Sequence, residues 1–208
     1  VLAIDDVVEY IMDFIFPDSP VEDVMVNGEL NIRDQRIVAM IVKDIVNTNP
    51  KVNMQTAISW AEKIIYEAQK YDINPFLIAS QANLESTWNP NAKGAANDIG
   101  LLQVVDKTGR EIARKLGYKN FSPEMLKDPM TNIEFSAYYL DYCYDQTKKY
   151  IKNDTANHDW LALASYNRGV IPAVKTYIAG KLGKVEYVEH VRRRFVENYG
   201  GIGVIFDY

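Results

Sequence analysis

Apolar residues recur at intervals of three and four along most of this 208-residue chain, and convincing period-two alternation is absent, which points to a mainly α fold. Ile4, Val8, Ile11 and Ile15 mark a first helical stripe that Pro17 stops, and Ile37, Met40, Ile41 and Ile45 mark a second. Asn47-Thr48-Asn49-Pro50 reads as a connector, so the expected organisation is an N-terminal helical extension over 1–50 and a domain over 51–208. From Asn53, a good N-cap, the stripe Met54, Ala57, Ile58, Ala61, Ile64, Ile65 and Ala68 is the cleanest in the chain. The next helix begins with Asn74 as cap and Pro75 at its first position, then runs through Phe76-Leu77-Ile78-Ala79 toward Trp88. It is apolar on most sides and is expected at the centre.

Residues 89–99 carry loop chemistry directly after that helix, where loops often line a site. Further helices are expected over 107–116, 130–150, 157–167, 171–179 and 185–198, with Gly169 and Gly200 as C-terminal stops. The tail 201–206 is too apolar to stay in solvent and is expected to fold back, with room for a short strand.

The chain is 48% hydrophobic, enough for a substantial core, yet no run approaches the roughly 20 apolar residues of a membrane span. It starts at Val1 with no basic and apolar leader, which fits either a processed secreted protein or a shortened chain. A formal charge of −5 argues against nucleic acid as a partner. The one dense basic run, Arg192-Arg193-Arg194, fans out around a helix and is expected on a solvated face. A single cysteine, Cys143, excludes an internal disulfide, and with only His158 and His190 beside it no structural metal or cofactor is expected.

Projected on its helix, Glu85 shares a face with Ile78 and Ala82, beside Gln81. A carboxyl on a buried or cleft-lining face has a raised pKa and can serve as a general acid near neutrality. A glutamate at a helix end is also commonly exposed or capping, and the pattern alone leaves both readings open. The same holds for Tyr166, Leu102 and Gln103, which by pattern read as a helix-end core tyrosine, ordinary core and a solvated polar residue.

The order of the surrounding residues is far more specific. Tyr71-Asp72-Ile73-Asn74-Pro75-Phe76-Leu77-Ile78-Ala79 and Leu84-Glu85-Ser86-Thr87-Trp88-Asn89-Pro90-Asn91-Ala92 resemble the entry to the soluble lytic transglycosylase domain. Ile99-Gly100-Leu101-Leu102-Gln103 resembles that family's Gly-Leu-Met-Gln motif, and Ala162-Leu163-Ala164-Ser165-Tyr166-Asn167-Arg168-Gly169 its Ala-Tyr-Asn-x-Gly motif. Tyr187-Val188-Glu189-His190-Val191 is similar to its closing Tyr-Val motif.

The resemblance implies a lysozyme-like helical domain acting on peptidoglycan glycan strands, alternating N-acetylmuramic acid and N-acetylglucosamine, in or outside the bacterial envelope. It implies Glu85 as sole acid and base, Tyr166 as the phenol that holds it, and Leu102 and Gln103 as sugar contacts. Ser86 beside the acid and Asp98 in the facing loop join the expected substrate-binding set, and Asn167 is expected to support the Tyr166 turn. Three positions depart from the family pattern: Gly94 replaces a serine, Asn97-Asp98 replaces Gly-Ala, and Leu102 replaces a methionine. Asp98 and Asp106 keep open a goose-type lysozyme, which uses a further acid to position water, although each also reads as a turn or cap residue. Two other readings are a non-catalytic glycan-binding scaffold and a module whose residues 1–50 dock on a protein partner.

Overall fold

The computed structural model describes residues 32–151 and 154–200, and among them eight α-helices form the body of the protein. They are α1 (Ile32–Thr48), α2 (Met54–Tyr71), α3 (Pro75–Ser86), α4 (Asp106–Leu116), α5 (Pro129–Ile151), α6 (His158–Arg168), α7 (Val170–Ile178) and α8 (Glu186–Tyr199). The first stripe and the apolar tail of the sequence reading lie outside the described residues.

Helix α3 is the centre of the body, with every residue from Pro75 to Asn83 buried, as its apolar circumference requires. Local chemistry sets its ends. Asn74 Oδ1 accepts from the Phe76 amide at 3.0 Å, and Pro75 occupies a first-turn position that needs no amide donor. The helix stops at Ser86, because Thr87 and Trp88 adopt φ of +50° and +59° and turn the chain away. Asn53 caps α2 in the same manner, accepting from Thr56 N at 2.9 Å.

Ile37, Ile41 and Ile45 of α1 share one core with Ala57 and Ile64 of α2, Leu77 and Ile78 of α3, Leu140 of α5 and Val191 of α8. The connector at 49–53 is thus a short link between two helices of a single core. Asp44 of α1 is buried in that core and accepts from Asn83 (2.6 Å), Tyr199 (2.7 Å), Thr48 and Asn198 (3.1 Å each) and Trp88 Nε1 (3.2 Å). A lone buried carboxylate is tolerated when donors surround it, and here they come from α1, α3, α8 and the turn after α3.

At the end of the segment expected to be loop, β1 (Asp98–Ile99) pairs antiparallel with β2 (Val104–Val105) just beyond it, Asp98 opposite Val105 and Ile99 opposite Val104. Two-residue strands are too short to show alternation in a sequence. A small cluster of Ile99, Val104, Ile112, Leu126 and Phe135 fastens this hairpin to α4 and α5.

Arg192 and Arg193 of the basic run are exposed, as expected, and only Arg194 departs from the expectation. Arg192 lies over the Trp160 ring at 4.4 Å, and Arg194 turns inward to donate to Asn83 Oδ1 at 2.9 Å. Two positions on a helix are a little over half a turn apart, so Arg192 and Arg194 meet different surroundings. Gly200 ends α8 at φ −71° rather than in the left-handed region.

Candidate active site

Glu85 occupies the last turn of α3, half-buried, where the central helix gives way to the turn at Thr87 and Trp88. Its carboxyl is raised from 4.5 to about 7: burial pushes it up, the Tyr187 hydrogen bond opposes part of that, and the negative charge of Asp98 adds to it. Tyr187, in the first turn of α8, also accepts Gln81 Nε2 at 3.0 Å, across 106 positions of sequence. Burial holds the Tyr187 hydroxyl well above its ordinary range, so it stays a neutral donor toward Glu85.

The phenol hydrogen-bonded to Glu85 is therefore that of Tyr187, and the expected role of Tyr166 shifts to the neighbouring hairpin. Tyr166 Oη donates to the Leu102 carbonyl at 2.9 Å, tying α6 to the β1–β2 turn, while its buried hydroxyl feels the Glu85 charge. The Leu102 side chain is fully buried and its amide donates to Asn132 Oδ1 at 2.8 Å, so it packs the core instead of facing a groove. Gln103, at φ +49°, donates Nε2 to the carbonyls of Gly100 (2.9 Å) and Ala92 (3.2 Å), which bends the turn and leaves the side chain half-buried. Ser86 is buried and donates Oγ to Ala82 O at 3.1 Å, bonding back into its own helix. Asn167 is exposed at the end of α6, and among the described residues no side-chain hydrogen bond ties it to Tyr166.

Asn132 is the hairpin's anchor and was not singled out from the sequence. Fully buried on α5, it accepts from Leu102 N and donates Nδ2 to the carbonyls of Ile99 and Leu126, all at 2.8 Å. Gly100 makes room for it: the residue sits at φ +86°, and a Cβ there would meet Asn132 Nδ2 and Leu126 O at 2.3 Å. The sequence signal was a polar residue inside the apolar face of the 130–150 stripe, beside Ile133 and Phe135. Tyr187 had a signal too, in the closing motif, without a role attached to it.

Of the two further acids, Asp106 is the first residue of α4 rather than its cap, and pairs with Arg110 Nε at 3.0 Å. Asp98 remains half-buried in β1, its Oδ1 accepting from Ala96 N at 2.9 Å. Among the described residues no cluster of three or more histidine, cysteine or acidic side chains is arranged to hold a metal ion. The chemistry on offer is proton transfer by one carboxyl poised near neutrality.

The family model described as Transglycosylase SLT domain matches residues 62–181, more than half of the chain. The chain belongs to this family. Among its relatives, the membrane-bound lytic murein transglycosylase C of Actinobacillus pleuropneumoniae (strain L20) is 32% identical over 127 residues, 60% of this chain and 34% of that protein. The membrane-bound lytic murein transglycosylase E of Buchnera aphidicola is 29% identical over 150 residues, 70% of this chain and 66% of that protein. This SLT-domain chain therefore spans about a third of the length of the former and about two thirds of the latter.

The 70 kDa soluble lytic transglycosylase of Escherichia coli shares its fold, with a TM-score of 0.57 and 18% identity over 85% of this chain and 32% of that one. An inactive mutant of the lytic transglycosylase Slt from Pseudomonas aeruginosa matches with a TM-score of 0.55 and 17% identity, over 96% of this chain and 37% of that one. The lysozyme-like helical fold expected from the motifs is the fold observed. Tyr187 and Asp44 both lie outside the stretch that the family model matches, yet one bonds Glu85 and the other fixes the turn that follows it.

Proposed function

We propose that this chain cleaves peptidoglycan glycan strands as a lytic transglycosylase in the bacterial cell envelope, with Glu85 as single acid and base. The observation that carries this reading is the Glu85 carboxyl, raised to about 7 by burial while a neutral phenol holds it in place. Membership of the SLT family and the names of the murein transglycosylases it resembles supply the substrate class.

In this mechanism protonated Glu85 donates to the bridging oxygen as the C1–O bond of the muramic acid residue breaks. The sugar's own 2-acetamido oxygen bonds to C1 and takes up the developing charge. Glu85, now ionised, removes the proton of the 6-hydroxyl, and that oxygen displaces the acetamido oxygen at C1 to close a 1,6-anhydro ring. The acid is regenerated and no water is consumed. A pKa near working pH suits a group that must give and then take the same proton. Gln103 and Asp98, both partly accessible in the hairpin, are the side chains proposed to contact sugar, with Tyr166 fixing the turn that carries them.

Product analysis tests the reading. Mass spectrometry of digested cell-wall glycan should show anhydro-muramyl ends, and reducing ends would establish hydrolysis instead. Glu85→Gln keeps the side-chain shape and removes the titrating proton, so the pure variant should lose at least about 1,000-fold in rate. Cleavage retained by that variant would remove Glu85 from the mechanism.

A further inference from the structure

Helix α7 covers the core with one side only. Ala173 and Val174 are buried, and half-buried Tyr177 packs beside them on the cluster that holds Leu161, Leu182 and Val188. Ile171, Lys175 and Ile178 stand at i, i+4 and i+7 on the other side. Ile178 and Ile171 are 71% and 70% exposed, the highest values among the exposed large apolar side chains of the described residues. Neither contributes to the core, and the two are aligned along one face.

The same stretch carries charge of a single sign. Over 160–185 there are four basic residues, Arg168, Lys175, Lys181 and Lys184, and no acidic one, in a chain whose formal charge is −5. All four are exposed, and none forms an ion pair among the described residues. Of the acids that adjoin this stretch, Asp154 accepts from Tyr177 at 2.8 Å and Glu186 opens α8.

We propose that this face of α7 docks on an anionic phospholipid surface, with Ile171 and Ile178 entering the boundary between headgroups and acyl chains and the four basic side chains meeting lipid phosphates. An amphipathic helix lies in that boundary with its apolar side chains down, while lysine stems run along the apolar surface and keep their charge among the headgroups. A second copy of the chain fits this face less well. A symmetric contact would bring like charges together, and one side of a nine-residue helix offers far less than the roughly 800 Å² that a stable complex takes from each partner. Gly169 alone joins α7 to α6, whose Tyr166 bonds the hairpin, so lipid under α7 sets how the Glu85 site faces the membrane. The proposal goes beyond the reading of Glu85 and does not depend on it.

Co-sedimentation of the full chain with vesicles tests it. The protein should partition onto vesicles that mix phosphatidylglycerol with phosphatidylcholine and stay in solution with phosphatidylcholine alone, and added salt should release it. Ile171→Gln with Ile178→Gln should weaken the partition at least about tenfold, with the urea midpoint unchanged because both side chains are exposed. Lys175→Gln with Lys181→Gln should weaken it about fivefold per lysine by a separate route. Absence of partition in the parent, equal binding to neutral vesicles, or binding that survives the isoleucine pair would overturn the proposal. So would a concentration-dependent dimer, seen by sedimentation without lipid, that the isoleucine pair abolishes, because the face would then belong to a second copy. Failure of the Glu85 reading shows up separately, in the activity of Glu85→Gln on glycan.

Discussion

At the residue scale, the burial that fits Glu85 for acid catalysis also works against the fold. Below about 4.5 the carboxyl is protonated in folded and unfolded chain alike, and it makes no difference to stability. As pH rises toward about 7, the unfolded chain releases this proton first, so the folded state loses stability over that window and carries the full cost above it. After discounting for partial exposure, the cost is on the order of 1–3 kcal/mol. Glu85→Gln, with no proton to release, should therefore unfold at higher urea than the parent at pH 8, and at the same urea at pH 4. Equal midpoints at pH 8 would mean that the carboxyl is not desolvated. Tyr187→Phe tests the other contribution, because its hydrogen bond lowers the Glu85 pKa. Without the hydroxyl, the Glu85 titration and the high-pH fall in activity should both move up. The same change leaves Gln81 Nε2 without its acceptor in the core and should cost about 1–3 kcal/mol of stability.

At the element scale, two side chains place the site without touching substrate. Asp44 joins α1 to the last buried turn of α3, to the Trp88 turn and to α8. Asp44→Ala strands the donors of Asn83, Trp88 and Tyr199 in the core and should cost at least about 3 kcal/mol by urea unfolding. A loss under about 1 kcal/mol would mean that water or rearranged side chains satisfy those donors. Asn132→Ala should loosen the hairpin instead, lowering kcat with a modest loss of stability, because three backbone groups lose their partner at one end of the fold. What the sequence revealed follows the range of each interaction. Asn53 and Asn74 cap their helices through amides two or three positions on, so α2 and α3 could be placed from the residues themselves. Glu85, the proposed acid, could be placed at the end of α3 as well, because its helix carries it there. Apart from Thr48 one turn on, Asp44 meets partners 39 to 155 positions away, and Gln81 meets Tyr187 across 106, which no local pattern encodes. The phenol at Glu85 was consequently assigned to Tyr166 when both tyrosines lie near the acid and only Tyr187 bonds it.

At the scale of the whole molecule, the unit that folds is larger than the stretch the family model matches. Residues 62–181 omit α1 and α8 and begin inside α2, yet Ile37, Val38, Ile41, Val42 and Ile45 of α1 are each no more than 2% exposed. Burying an aliphatic side chain contributes roughly 1.5–3 kcal/mol, so these five alone outweigh the 5–15 kcal/mol net stability of a typical domain at its lower end. Removing α1 would also expose the faces of α2, α3 and α8 against which it packs and would delete Asp44 from its ring of donors. A chain beginning at Pro50 should therefore lose cooperative unfolding, bind a hydrophobic dye and show no glycan cleavage. Restoring α1 as a separate peptide should recover some cooperativity, because its apolar stripe and Asp44 return together. If the shortened chain instead unfolded cooperatively at the parent's midpoint, α1 would be an appendage to the active domain, and its buried face would have to be explained by something other than the stability of this fold.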